Sequence, residues 1–174
     1  MKANALVARD AARELAIPYM SKTVVDTIVC MENTKVIGAY LAEELLLEGM
    51  SVLNAGGDIY IVTPMQNIDG KFTFYESERK WIAGKNILLL TSAITSGRTI
   101  GCVLECLEYY GGKIAGISTL FLADTDSRLE NINTLFTCDD IPGYKLSEPS
   151  ECEMCREGIK LDALISSEGY SKIL

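Results

Sequence analysis

The sequence predicts an α/β domain with a mainly parallel central sheet flanked by helices. Three features predict it. Short apolar, β-branched runs recur along the chain; amphipathic helical stretches separate them; and polar loops join strand to helix. The 174 residues are 48% apolar and 23% charged, which suits one domain with a sizeable core. No apolar run reaches the roughly 18 residues of a membrane span. The first ten residues meet charge at Arg9 and Asp10 before a secretory-type apolar stretch develops. The expectation is a cytoplasmic protein with no membrane partner. A net charge of −8 argues against nucleic acid, whose binders need a positive surface. A small anion held by main-chain amides remains compatible with it. There is no histidine, which removes histidine triads and histidine metal sites together.

Taken in order, residues 5–16 carry Val7, Ala11 and Leu15 on one helical face, and Pro18 ends that helix. Residues 24–30 are β-branched and read as a buried strand. Residues 31–35 are a polar break. A helix over about 36–48 follows, with Ile37, Leu41 and Leu45 on one stripe and Asn33 or Thr34 as its cap. Asn54–Gly57 is a turn, and 58–62 a third strand closed by Pro64. Residues 64–86 lack a helical period. Asp69-Gly70 signals a hairpin, and 71–75 has strand propensity. Lys71, Arg79, Lys80 and Lys85 gather here, either on a flap over a ligand or on a solvated structural excursion.

Residues 87–90 form a short buried strand, and 91–98 a loop of small and hydroxylated residues. A helix over about 99–110 follows, with Ile100, Val103, Leu104 and Leu107 at helical spacing and Gly111-Gly112 as its stop. Residues 113–121 are a further strand, 124–131 a polar surface loop, and 133–138 a last short strand. The tail from Asp139 is irregular, with a short turn near 160–165. The loops 31–35 and 91–98 both follow strands. In a parallel sheet they therefore lie at the ligand-binding carboxyl end. Thr95–Thr99, opening onto a helix, suits a phosphate; the same residues also suit an ordinary helix cap.

The six cysteines are expected to be reduced. Cys102 and Cys106 fall inside a helical pattern and read as small core residues. Cys152 and Cys155 have metal-ligand spacing, with Cys138 a possible third ligand; plain structural thiols are the alternative.

The frame Leu88–Leu90, Thr91-Ser92, Ala93-Ile94, Thr95-Ser96-Gly97-Arg98-Thr99 resembles the phosphoribosyl-pyrophosphate motif of the type I phosphoribosyltransferases. The strand and the last five positions match. The family's acidic pair is replaced by Thr91-Ser92. The order of elements over 22–138 is similar to the family, and the ending Cys152-x-x-Cys155-x-x-Gly158-Ile159-x-Leu161 resembles orotate phosphoribosyltransferase-like proteins. The resemblance implies one domain over 1–174, with a core of about 22–138 and a small hood from 1–21 and 139–174. It implies a 5′-phosphate held by Thr95, Ser96, Gly97, Arg98 and Thr99, and ribose facing Thr91 and Ser92. Glu32, Asn33, Thr34 and Lys35 would form a pyrophosphate loop. Lys35, Lys71, Arg79 and Lys80 are then the candidate catalytic cations, with Mg²⁺ as cofactor. The implied partners are phosphoribosyl pyrophosphate, a nucleobase such as orotate, and a second copy in a homodimer. Two carboxylates beside the ribose would stabilise developing cationic charge, whereas hydroxyls supply none. The alternative is therefore a catalytically impaired sensor that binds a nucleotide or phosphoribosyl compound through the same phosphate loop.

Overall fold

A computed structural model describes residues 4–47, 53–123, 132–148, 150–166 and 169–173. Its first element is α1 (Ala5–Ala16), capped by the Asn4 side chain, which accepts from the amides of Leu6 and Val7. Pro18 turns the chain through a 3-10 turn at Ile17–Tyr19. Then come β1 (Thr27–Cys30), α2 (Lys35–Leu46) and β2 (Tyr60–Val62). The hairpin β3 (Met65–Gln66) and β4 (Phe72–Thr73) turns through Asp69-Gly70, with Gly70 in the left-handed region at φ 78°. A 3-10 stretch, Glu76–Trp81, leads to β5 (Asn86–Ile94), α3 (Arg98–Tyr109), β6 (Lys113–Leu122) and β7 (Ile132–Thr137). The tail holds a short α4 (Glu153–Arg156) and the hairpin β8 (Ala163–Ser166) and β9 (Gly169–Lys172).

The central sheet has the order β2-β1-β5-β6-β7, and every pairing in it is parallel. This confirms the α/β class. Successive side chains on β1 and β5 point to opposite faces, so each strand feeds two cores. Ile28, Cys30, Leu88 and Leu90 meet α1 and α2 on one face. Val29, Ile87 and Leu89 meet α3, Phe74 and Ile82 on the other. Runs that are apolar throughout are what a sheet covered on both faces requires. The chain leaves β1 toward one edge and β5 toward the other, so the topological switch point lies between β1 and β5.

Several expectations change in detail. The strand expected to stop at Leu90 continues to Ile94, because Thr91, Ala93 and Ile94 pair with Thr119, Phe121 and Leu122 of β6. Thr91 and Ser92 are thus strand residues, and Thr91 is buried. Thr34 occupies the cap position of α2 but its side chain does not cap the helix. Its hydroxyl donates instead to the carbonyls of Met31 (2.7 Å) and Leu90 (3.2 Å). Cys102 is exposed, because the buried face of α3 is Ile100, Val103 and Leu107. The turn expected near 160–165 is part of the β8–β9 hairpin. α1 packs into the core: Ala8, Ala12, Leu15 and Ala16 are buried, and Arg13 pairs with Glu44 of α2 at 2.9 Å. The surface loop expected at 124–131 lies outside the described residues.

α2 crosses β1 at Gly38, where the backbone approaches closely. A methyl group there would overlap Cys30 Sγ and lie 3.7 Å from Ile28 and Leu90. Gly38→Ala should therefore cost about 1–3 kcal/mol through overpacking, net of the roughly 1 kcal/mol that alanine gains in a helix. Adding Cys30→Ala should recover most of that loss. Urea denaturation of the two variants checks both effects.

Candidate phosphate site at the β1–β5 switch point

Two loops meet at the carboxyl ends of β1 and β5. The first follows β5 at Thr95–Gly97. Gly97 sits at φ 69°, ψ −5°, in the left-handed region that glycine adopts without steric cost. That turn ends the strand and opens α3. The first amides of α3 have no partner within the helix and point along its axis with the positive end of the macrodipole. Thr95, Ser96, Arg98 and Thr99 are exposed around them. Residues 93–100 and Glu32 line a pocket of about 70 Å³.

The second loop follows β1. Met31 N donates to Leu90 O at 2.8 Å, and the Thr34 hydroxyl stitches the same loop to β5. Between them Glu32 (φ 50°) and Asn33 (φ 61°) both adopt left-handed backbone. Such a conformation costs a side-chain-bearing residue about 1–2 kcal/mol. Here it turns Glu32 toward β5. Its Oε2 accepts from Thr91 Oγ1 (3.0 Å), Ser92 N (3.2 Å), Ala93 N (3.3 Å) and Ser92 Oγ. A carboxylate from the loop after β1 thus lies against Thr91 and Ser92 at the end of β5. The hydroxyls of Thr91 and Ser92, expected to face ribose, are engaged with Glu32.

A second cavity, of about 360 Å³, lies beside the first. Met31, Glu32 and Thr99 line it together with Thr63, Gln66 and Phe72 from the β2–β4 region. Glu32 and Thr99 are common to both linings. Thr63 Oγ1 is buried with no hydrogen-bond partner among the described residues, a state that buried hydroxyls rarely keep unless a ligand or water completes them. A third, open cleft of about 1010 Å³ separates Thr95, Ser96 and Arg98 from the tail residues Tyr144–Glu148, Glu151 and Glu153. Tyr144 is held there edge-on to Phe121, with ring centroids 5.1 Å apart. Tyr144 belongs to the C-terminal stretch 137–144, but nothing in its local pattern places its ring beside this cleft. Its position depends on Phe121, far away in the chain.

The candidate cations separate into two groups. Lys35 begins α2 beside Thr34, and Lys71 sits on the hairpin next to Phe72, so both belong to the carboxyl end. Arg79 and Lys80 do not. Arg79 lies over the Tyr110 ring, 5.1 Å from its centroid, and pairs with Glu76 at 3.0 Å. Tyr110 ends α3, about 18 Å along the helix from the Thr95–Gly97 loop. Lys80 lies over Trp81, whose carbonyl accepts from Thr27 at the start of β1. Both are at the amino ends of the strands. Aromatic anchoring explains this: Trp81 stacks on Tyr60, and Phe74 packs edge-on against Tyr110. The basic stretch is thus divided, with only its hairpin beside the site.

No protein-family model and no curated protein matches this chain. Solved structures do. The chain is similar to a hypoxanthine-guanine phosphoribosyltransferase from Bacillus anthracis, at 17% identity and a TM-score of 0.52, over 77% of this chain and 79% of that one. It is similar to an adenine phosphoribosyltransferase from Thermoanaerobacter pseudethanolicus, at 16% identity and a TM-score of 0.53, over 74% and 79%. It also resembles UMP synthase from Leishmania donovani, at 14% identity and a TM-score of 0.53, over 77% of this chain and 28% of that one. The chain thus has the fold found in these phosphoribosyltransferases.

The cysteines do not assemble a metal cage. Among the described residues no group of three or more His, Cys, Asp or Glu side chains could hold an ion. Cys138 Sγ donates to Ala123 O at 2.9 Å, on the sheet side of the tail. At Cys152, hydrogen bonds from the Cys155 backbone and then its side chain hold the thiol below its ordinary range. Burial pushes Cys30 up to about 12. Iodoacetamide at neutral pH should therefore label Cys152 well before Cys30, and Cys30 only on unfolding, as peptide mass spectrometry would show. Labelling of Cys30 in the folded chain would contradict the packing beneath α2.

Proposed function

We propose that this chain is a type I phosphoribosyltransferase-family protein that binds phosphoribosyl pyrophosphate at the β1–β5 switch point and transfers its phosphoribosyl group to a nucleobase. The observation that carries the reading is the Thr95–Thr99 cradle. It is a left-handed glycine opening a twelve-residue helix at the carboxyl edge of a parallel sheet, which is how main-chain amides hold phosphate. The 5′-phosphate would sit there, with Arg98 at its rim. The pyrophosphate would enter the neighbouring cavity, where Thr63 Oγ1 has no partner among the described residues, and Lys35 and Lys71, at the same end of the sheet, would supply positive charge. The base would approach from the open cleft beneath Tyr144. Orotate is the base that the tail sequence favours.

In the transfer, a ring nitrogen of the base bonds to C1 of the sugar with its own electron pair. The C1–O bond breaks, and its electron pair leaves with pyrophosphate. The proton carried by that nitrogen passes to solvent. Because the described acidic and thiol side chains form no cage, magnesium would be bound largely by substrate phosphates and water. When bound, it neutralises charge on the leaving pyrophosphate. The same reading carries a cytoplasmic homodimer. Among the described residues, no helix is long and apolar enough to cross a membrane.

A second reading, a phosphoribosyl- or nucleotide-binding sensor, is favoured by one observation: β5 carries hydroxyls where the resemblance expects two carboxylates. Pyrophosphate release with phosphoribosyl pyrophosphate, Mg²⁺ and a panel of bases that includes orotate separates the two. Donor binding with turnover supports transfer, and donor binding with no turnover on any base supports the sensor. For the cradle, Gly97→Val should weaken donor affinity about tenfold or more, since forcing a β-branched residue into left-handed backbone costs on the order of 1–2 kcal/mol or above. Calorimetric titration reads this directly. No binding of any phosphorylated ligand at millimolar concentration would overturn both readings.

A further inference from the structure

The placement of Glu32 has a chemical consequence. Its carboxylate is fixed from β5 by two amides and two hydroxyls. It lies in the linings of both small cavities, and among the described residues no other acidic side chain lines either. A ligand with phosphate in the first cavity and pyrophosphate in the second must carry its sugar across the boundary they share, and Glu32 is on that boundary. The residues at 91 and 92 suit this arrangement. Carboxylates there would repel Glu32 at hydrogen-bonding distance, whereas Thr91 and Ser92 supply the donors it needs. The missing acidic pair and the inward-turned glutamate are thus one compensated set. Two successive left-handed residues, Glu32 and Asn33, hold the chain in the turn that makes it possible; strain of this kind persists where surrounding contacts over-determine it.

We propose that Glu32 is a catalytic residue: the carboxylate that faces the sugar ring and stabilises positive charge on it, supplied from the loop after β1 instead of from β5. The inference rests on the reading of 95–99 as the phosphate site. As the C1–O bond to pyrophosphate breaks ahead of bond formation to the base, positive charge spreads over C1 and the ring oxygen. A preorganised negative charge beside them lowers that barrier without reorganising at the moment of reaction.

The test compares two ligands that share a phosphate and differ in ring charge, in magnesium-free buffer. An iminoribitol 5-phosphate carries a protonated ring nitrogen. Its ring-oxygen isostere, anhydroribitol 5-phosphate, is neutral there. The wild-type protein should bind the cationic ligand at least about tenfold more tightly, as expected for an opposite charge a few ångströms away in a partly desolvated site. Glu32→Gln should abolish that preference, weakening the cationic ligand at least about tenfold more than the neutral isostere. Adding Ser92→Asp to Glu32→Gln should restore the preference. In turnover, Glu32→Gln should lower kcat by about 10²-fold or more with little change in KM for the donor. A wild-type protein that binds both ligands equally overturns the assignment and needs no variant to do so. A preference that survives Glu32→Gln also overturns it. In either case the phosphate reading stands, because both ligands still bind. If neither ligand binds, the phosphate reading and the role of Glu32 fall together.

Discussion

The site depends on the bond network that ties the loop after β1 to the end of β5. β1 and β5 are adjacent parallel strands whose connections leave in opposite directions, so their carboxyl ends border an open crevice. Left alone, the loop after β1 would be a short polar turn with several conformations. Three contacts remove that freedom. Met31 N bonds to Leu90 O, the Thr34 hydroxyl bonds to the carbonyls of Met31 and Leu90, and the Glu32 carboxylate bonds to Thr91, Ser92 and Ala93. Together these outweigh the cost of two left-handed residues. They also fix where α2 begins and therefore where Lys35 stands.

The packing supports this geometry from below. β1 and β5 are covered on both faces, by α1 and α2 on one side and by α3 with Phe74 and Ile82 on the other. Their buried side chains lock the register that brings Cys30 beside Leu90. The next two residues along each strand then fall into the clasp. α1 belongs to this scaffold. Asn133 donates to the Leu15 carbonyl at 3.0 Å, and Tyr19 Oη lies 3.0 Å from Ser118 Oγ, so the amino-terminal helix is tied to β6 and β7.

Much of this was legible in the sequence. The apolar runs at 27–30 and 87–90, the stripes at Ile37, Leu41 and Leu45 and at Ile100, Val103 and Leu107, and the hairpin signal at Asp69-Gly70 are local patterns, and local patterns survive folding. The turn at 95–99 that opens α3 was legible for the same reason, since its glycine and hydroxyls are contiguous. The rest depends on distant partners. That β5 runs on to Ile94 follows from pairing with β6, not from the composition of 91–94. That Arg79 and Lys80 turn away from the site follows from the Tyr110 and Trp81 rings, which no spacing rule connects to them. Glu32 could be assigned to a polar loop but not to the end of β5, because its partners lie about sixty residues away.

The central claim is that the β1–β5 crevice holds a phosphorylated sugar between the 95–99 cradle and Glu32. The most direct measurement is a crystal structure with ribose 5-phosphate. The phosphate should sit on the main-chain amides that open α3, with the sugar ring against a Glu32 carboxylate still bound to Thr91, Ser92 and Ala93. A phosphate seated elsewhere, or a Glu32 withdrawn from β5 with the sugar remote from it, would rule this arrangement out.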